Sequence, residues 1–350
     1  MGKPYRQGVH THEGGEQRMK KCFWGCAAVL VMGIFIFTAC VSADAAPIRL
    51  KFGIAVSENS TWYQGAKKFA ELVRERSAEK YVVDLFPSDQ LAAGNIIKGL
   101  EMLRMGATDI DMRSTIIYTT VDPKFTVPLM PWLVPSYEEA DKALAGEGGK
   151  MLFKLVGEKG IVSLAFGESG FRQVTNNVRP ILSPDDIKGL KIRIPTNKMY
   201  IAMFKALGAD PTSINFGELF AALQQGTVDG QENPPDVIAS ARVQEVQKFM
   251  TLWNASYDPI IMSASTAFWG RLADAEKKMF SDAALEAMEY QKALSREKNA
   301  QLISEFKEKM TVSDLTAEQV KAFRTAVQPV FDEYEKLVGL ELLRAFGYEK

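Results

Sequence analysis

The sequence predicts an α/β fold in two domains, each an open sheet flanked by helices. Three observations carry this. Residues 48–112 alternate strand, helix, strand, helix, strand, which is half of a doubly wound domain. Residues 189–238 repeat strand, helix, strand, helix within fifty residues. Behind an apolar leader lie roughly 300 residues with no low-complexity linker, a length for two domains joined by several crossing segments.

The leader comes first. Lys20 and Lys21 precede an apolar run from Cys22 to Val41, and Ala43-Asp44-Ala45 follows it. A charged stretch, an apolar stretch and an A-x-A site describe a secretory signal peptide over residues 1–45, cut after Ala45. Two alternatives stay open: an uncleaved anchor, since about 20 apolar residues span a bilayer, and lipidation at Cys40. Residues 1–18 are polar, and Met19 is a candidate true start.

In the first half, Ile48–Ile54 alternates as a strand, and residues 55–64 are a polar turn opening a helix with Phe69, Leu72 and Val73 inside. Tyr81–Phe86 is the second strand, Ile96–Met105 a helix stopped by Gly106, and 109–112 the third strand with Arg113 and Ser114 at its end. Ser136 and Glu139 form a capping-box pattern. Ile161–Phe166 is another strand, and the first crossing between domains is expected directly after it.

In the organising stretch, Leu190, Ile192 and Ile194 alternate with Lys191 and Arg193 as a strand. Asn197 or Thr196 caps a helix that Gly208 stops, and Pro211–Asn215 is a short strand. A second helix carries Leu219, Phe220 and Leu223, and Asp229-Gly230 reads as a turn pair. Ligands of open α/β sheets bind beyond the carboxyl ends of strands. Arg193 lies near one such end, Phe216 and Asn233 follow the next two elements, and together they offer a cation, a ring and an amide to one crevice. Beyond 238 the pattern is helical with a strand at Pro259–Ser265, a charged helix from Arg271 to Met310 and a capping box at Thr316–Gln319.

Composition excludes several functions. All three cysteines and both histidines lie in residues 1–45. The remainder therefore has no disulfide framework, Cys nucleophile, Ser-His-Asp triad or ordinary zinc site. The chain holds 42 basic and 43 acidic residues. The leader takes five basic and three acidic, leaving 37 against 40, so no nucleic-acid partner is expected. No phosphate-cradling glycine motif occurs, and Asp185-Asp186 reads as a helix start, so neither cofactor nor metal is expected.

The GLKIR segment (189–193), the run 206–234 (ALGADPTSINFGELFAALQQGTVDGQENP) and GFRQVTN (170–176) resemble the solute-binding proteins of tripartite ATP-independent periplasmic (TRAP) transporters, of the DctP-like family. FPSDQL (86–91) and VPLMPWL (127–133) agree, and the likeness covers roughly 48–340. It implies a two-domain periplasmic-binding-protein-like fold with discontinuous domains, a hinge and a long helix spanning both. The expected division is 46–169 with about 259–298 in domain I, and 170–258 with about 299–350 in domain II.

The resemblance also implies roles. Arg193 would bind the ligand carboxylate as a planar fork, with Arg172 beside it, Asn233 on the carboxylate and Phe216 on the apolar face. From loop or strand-end positions, Trp62, Asn95, Arg113 and Ser114 are first-domain candidates, Arg113 as a cation for a second carboxylate. Each has a plainer reading as a solvated charge, turn residue or core ring. Where the sialic-acid-binding branch carries its acidic and amide ligands, this chain has Ala55, Ala93 or Gly94, and Ser114, which points to a smaller, less hydroxylated acid.

The resemblance thus implies a periplasmic receptor that closes on a small organic anion, a monocarboxylate or C4-dicarboxylate, and delivers it to a small and a large permease subunit in the membrane. No bond is made or broken. A ligand sensor and a secreted lyase or isomerase acting on a carboxylic acid are the alternatives. Monomer and homodimer both stay open, with the helical C-terminal part as a candidate interface.

Overall fold

The computed structural model describes residues 46–349. The expectations for the leader, including Cys40 and the cut after Ala45, lie outside the described residues.

The chain runs β1 (Ile48–Ile54), α1 (Thr61–Arg76), β2 (Tyr81–Phe86), α2 (Ile96–Arg104), β3 (Ile110–Ser114) and α3 (Thr115–Tyr118). Helices α4 (Tyr137–Ala145) and α5 (Glu147–Glu158) lead into the long strand β4 (Ile161–Asn176). Then come β5 (Lys191–Ile194), α6 (Lys198–Ala206), β6 (Asp210–Ser213), α7 (Leu219–Gln224), β7 (Gly230–Asn233) and α8 (Pro235–Ser240). A second long strand, β8 (Phe249–Ser265), precedes α9 (Thr266–Trp269), α10 (Asp274–Lys309), β9 (Thr311–Asp314), α11 (Ala317–Val338) and α12 (Leu340–Ala345). Caps fix the helix starts: Asn197 Oδ1 accepts from Tyr200 N at 2.9 Å, and Thr316 with Gln319 forms the expected capping box.

Among the described residues the strands form one sheet in the order β2-β1-β3-β8-β4-β7-β5-β6, with β9 added on β8. Strands β1, β2 and β3 are mutually parallel, as are β5, β6 and β7. Two parallel wings are therefore joined by the antiparallel pair β4–β8, in register from Ile161–Ser265 to Asn176–Phe249 with three shifts.

Three expectations are corrected, two of them on the joining strands. β4 does not stop at Phe166 but runs ten residues further, and β8 starts at Phe249, where helix was expected, not at Pro259. Both strands are buried on both faces over most of their length, and bulges break the period of two. The Asp229-Gly230 pair opens strand β7, not a turn. A Cβ on Gly230 would stand 2.2 Å from Thr175 O in β4, so glycine is required there by the close approach of two strands.

Helix α10 packs on both wings. Phe280 meets Phe69 and Tyr81 of the first, at centroid distances of 6.3 and 5.1 Å, and Leu302 and Phe306 join the core beneath α7. Its middle is polar: Gln291, Ser295 and Asn299 are buried and, four apart, share one face. They meet the β4 bulge. Gln291 accepts from Glu168 N at 2.8 Å and donates to Glu168 O at 2.7 Å, and Asn299 donates to Ser169 O at 3.2 Å. The backbone groups that the bulge removes from the ladder thus find partners on the helix. Gly170 sits there at φ +108°, with Asn299 Nδ2 2.8 Å from where a Cβ would be.

Candidate functional site

Four strand ends converge between the wings. Ala55 and Val56 follow β1, Ser114 ends β3, Pro195 follows β5 and Asn233 ends β7. Phe216 comes from the segment after β6, and the joining strands add Arg172 and Asp258. They enclose a cavity of about 50 Å³. Larger surface hollows exist, such as one of about 610 Å³ between α5 and the α11–α12 turn, but exposed Lys and Glu side chains line it.

Hydrogen bonds cross the cleft on more than one side. Thr61 N and Oγ1 donate to Asp236 Oδ2 at 3.0 and 2.8 Å, Ser57 Oγ donates to Ser240 O at 2.9 Å, and Asn197 Nδ2 donates to Thr119 Oγ1 at 3.1 Å. Each joins an element of one wing to an element of the other.

The cavity's charges are unequal. Arg172 is fully engaged: it binds both carboxylate oxygens of Glu232, Asp258 Oδ2 at 2.8 Å and Asn233 Oδ1 at 2.8 Å. Those carboxylates raise its pKa against the opposing effect of burial. Asp258 Oδ1 also accepts from Ser114 Oγ, and burial pushes Asp258 up to about 6, with Arg172 and Ser114 opposing. Arg193 is different. It is 3% exposed, and Nε donates to Ile214 O at 2.9 Å. Among the described residues no carboxylate lies within ion-pair distance of it. Burial pushes its pKa down to about 10, with Glu232 opposing and Arg172 adding to the fall, so it stays charged at neutral pH. Of the three buried cations among the described residues, Arg113, Arg172 and Arg193, it alone lacks a carboxylate partner.

Six of the eight residues singled out in the sequence line this cavity: Trp62, Ser114, Arg172, Arg193, Phe216 and Asn233. Asn233 donates to Gln231 Oε1 at 2.6 Å while accepting from Arg172, so its amide fixes the arginine. Phe216 is half-buried and packs on the cores of both wings. Two residues are not brought there. Asn95 is exposed, and its Oδ1 caps α2 through Ile97 N and Lys98 N at 3.1 and 3.0 Å. Arg113 points into the first wing, paired with Asp89 and with Asp111 at 2.7 Å and bonded to Ile96 O at 2.9 Å. It is no cation for a second carboxylate, because two buried aspartates already hold it.

The sequence reading did not single out Glu232, Asp258, or the apolar lining of Ile96, Ile116, Ile117 and Val237. Glu232 had a local signal, lying beside Asn233 in the quoted run. Asp258 had none, and the isoleucines read as ordinary core.

The arrangement can hold a small anion in a largely apolar pocket beside a buried guanidinium. It presents no histidine or thiol for nucleophilic chemistry, and among the described residues no cluster of acidic groups could hold a metal ion. No helix of the described residues is long and apolar enough to cross a membrane.

Residues 52–337 match the model of the bacterial extracellular solute-binding protein family 7, DctP. The C4-dicarboxylate-binding periplasmic protein DctP of Rhodobacter capsulatus is 33% identical over 87% of this chain and 92% of its own. The 2,3-diketo-L-gulonate-binding periplasmic protein YiaO of Escherichia coli K12 is 33% identical over 91% of this chain and 96% of its own. A TRAP periplasmic solute-binding protein of Ralstonia eutropha H16, solved with bound (S)-2-hydroxy-2-methyl-3-oxobutanoate, superposes with a TM-score of 0.83 at 33% identity, covering 85% and 98% of the two chains. This chain belongs to family 7 of the bacterial extracellular solute-binding proteins, the DctP family.

Proposed function

We propose that the protein captures a small organic carboxylate outside the cytoplasm, by closing its two wings around it, and hands it to a TRAP-type membrane transporter. Arg193 carries this reading: a buried guanidinium without a carboxylate partner among the described residues, in a cavity between the wings. A ligand carboxylate supplies the missing charge, and the planar fork suits it. Phe216 and the apolar lining exclude water, which strengthens the pairing. Asn233 accepts from Arg172, Asp258 accepts from both Arg172 and Ser114, and this network orients the polar side of the cavity.

Domain I comprises 46–169 with about 259–298, and domain II 170–258 with about 299–350. The two long strands and α10 supply the connections. The ligand must favour the closed arrangement over the open one for closure to follow binding, and Arg193 supplies that preference because it belongs to the second wing while much of the apolar lining belongs to the first. Periplasmic relatives and the leader pattern support an extracytoplasmic site of action. The named relatives are binding proteins, and no catalytic step is proposed.

The test is a thermal-shift screen against mono- and dicarboxylates, uronates and 2-oxo acids. A ligand at about 100 times its Kd adds about 2.7 kcal/mol to the folded state, and the acid should be recovered unchanged after hours. No shift with any acid, after removal of carried-over ligand, would refute the reading.

A further inference from the structure

We propose that this cavity selects a compact, branched monocarboxylate carrying one further acceptor oxygen, and discriminates against C4-dicarboxylates. The proposal rests on the carboxylate reading above and sharpens it.

Charge is the first ground. Arg172 faces two carboxylates, Glu232 and Asp258, so this cluster carries one net negative charge before any ligand enters. Arg193 balances it. A monoanion on Arg193 leaves a single surplus negative charge, shared across a hydrogen-bonded network. A dianion leaves two in a buried space. Arg113 would be the natural partner for a second carboxylate, but it is turned away and neutralised by Asp89 and Asp111.

The lining is the second ground. The first wing meets the ligand with Ala55, Val56, Ile96, Ile116 and Ile117, and the second wing adds Val237. A distal carboxylate there would lose its hydration without a partner, whereas methyl groups would pack. The volume agrees. About 50 Å³ is room for roughly four waters at about 10–15 Å³ each, which suits a small ligand.

Trp62 is the third ground. It lines the cavity and is 3% exposed, and its Nε1–H finds no acceptor among the described residues. Buried indole N–H groups usually have a partner. A hydroxyl or oxo oxygen on the ligand would supply one.

Calorimetry on the full-length processed protein tests this with 3-methyl-2-oxobutanoate, 2-hydroxy-3-methylbutanoate, 3-methylbutanoate and succinate. The branched oxo or hydroxy acid should bind at least about tenfold tighter than succinate. Trp62→Phe should erase the preference of the oxo and hydroxy acids over 3-methylbutanoate. Succinate binding as tightly as, or tighter than, the branched acids would overturn the selectivity and leave the carboxylate reading standing. Binding of none of the four, with a positive thermal shift from another dicarboxylate, would do the same. Silence from every acid would bring down both. A preference unchanged in Trp62→Phe would remove the indole from the account.

Discussion

Thr61 and Asp236 are joined twice across the cleft: the backbone N–H and the hydroxyl of Thr61 both donate to Asp236 Oδ2, at 3.0 and 2.8 Å. Thr61 opens α1 on one wing and Asp236 lies in the first turn of α8 on the other. Asp236 N in turn donates to Asn299 Oδ1 at 2.8 Å, tying the contact to α10. Bonds between wings exist only when the wings are together, so they favour the closed form. Hydrogen bonds to charged groups contribute about 1.5–3 kcal/mol. Thr61→Val, which keeps the backbone donor, should therefore weaken ligand binding by about tenfold or more and barely move the ligand-free melting temperature. Calorimetry beside thermal melts reads both, and unchanged affinity would show the pair to be incidental.

Arg113 should matter for stability and not for binding. Removing one partner of a buried ion pair costs about 3–5 kcal/mol, because Asp89 and Asp111 are left unpaired. Arg113→Ala should lower the urea midpoint strongly, while the protein that remains folded binds its acid within about threefold of normal. Gly99→Ala should also destabilise, since its Cβ would stand 1.9 Å from Arg113 Nη2. A large loss of affinity in folded Arg113→Ala would return this residue to the site.

Asp258 gives a pH dependence with a defined sign. Its pKa rises from 3.8 to about 6 in the folded protein, so the native state binds the proton more tightly than the unfolded one. No penalty applies below about pH 4. It grows as pH rises through 6, to about 3 kcal/mol above that. An anion on Arg193 pushes Asp258 further up, while Arg172 and Ser114 hold it down. Binding near neutral pH should thus take up a fraction of a proton, and affinity should fall as pH rises from 6 to 8. Calorimetry in buffers of different ionisation heats measures the uptake. Asp258→Asn should flatten the profile, and a wild-type slope in that variant would refute the assignment.

Much of the architecture was readable because local signals and tertiary placement agree. The β-α-β-α-β order of 48–112 and the caps at Asn197 and Thr316 needed only period and end residues. The joining strands were not readable over their full length. Arg172, Gln173, Thr175 and Asn176 are polar and buried, so no alternation marks them, and the short β9 between two helices has no apolar pattern at all. In the site, the cavity positions of Arg193 and Asn233 were legible from their places near strand ends. The fate of Arg113 was not, because Asp89 reaches it from a loop 24 residues earlier in which Asp89 itself adopts a left-handed backbone, φ +51°. Nothing in the neighbouring sequence announces that contact. Asp258 was hidden in the same way, since its partners Ser114 and Arg172 lie 144 and 86 residues away.

The central claim is that Arg193 holds the ligand's carboxylate, and the most direct measurement is the affinity of Arg193→Ala for the acid that the wild type binds, beside its ligand-free melting temperature. Losing one partner of a desolvated charge pair costs about 2–5 kcal/mol, so Kd should rise by at least about 30-fold. The ligand-free melting temperature should be nearly unchanged, since the arginine has no carboxylate partner among the described residues and its side chain's hydrogen bond there is the one from Nε to Ile214 O. Affinity within about threefold of wild type, or a collapse of the ligand-free fold, would contradict the account.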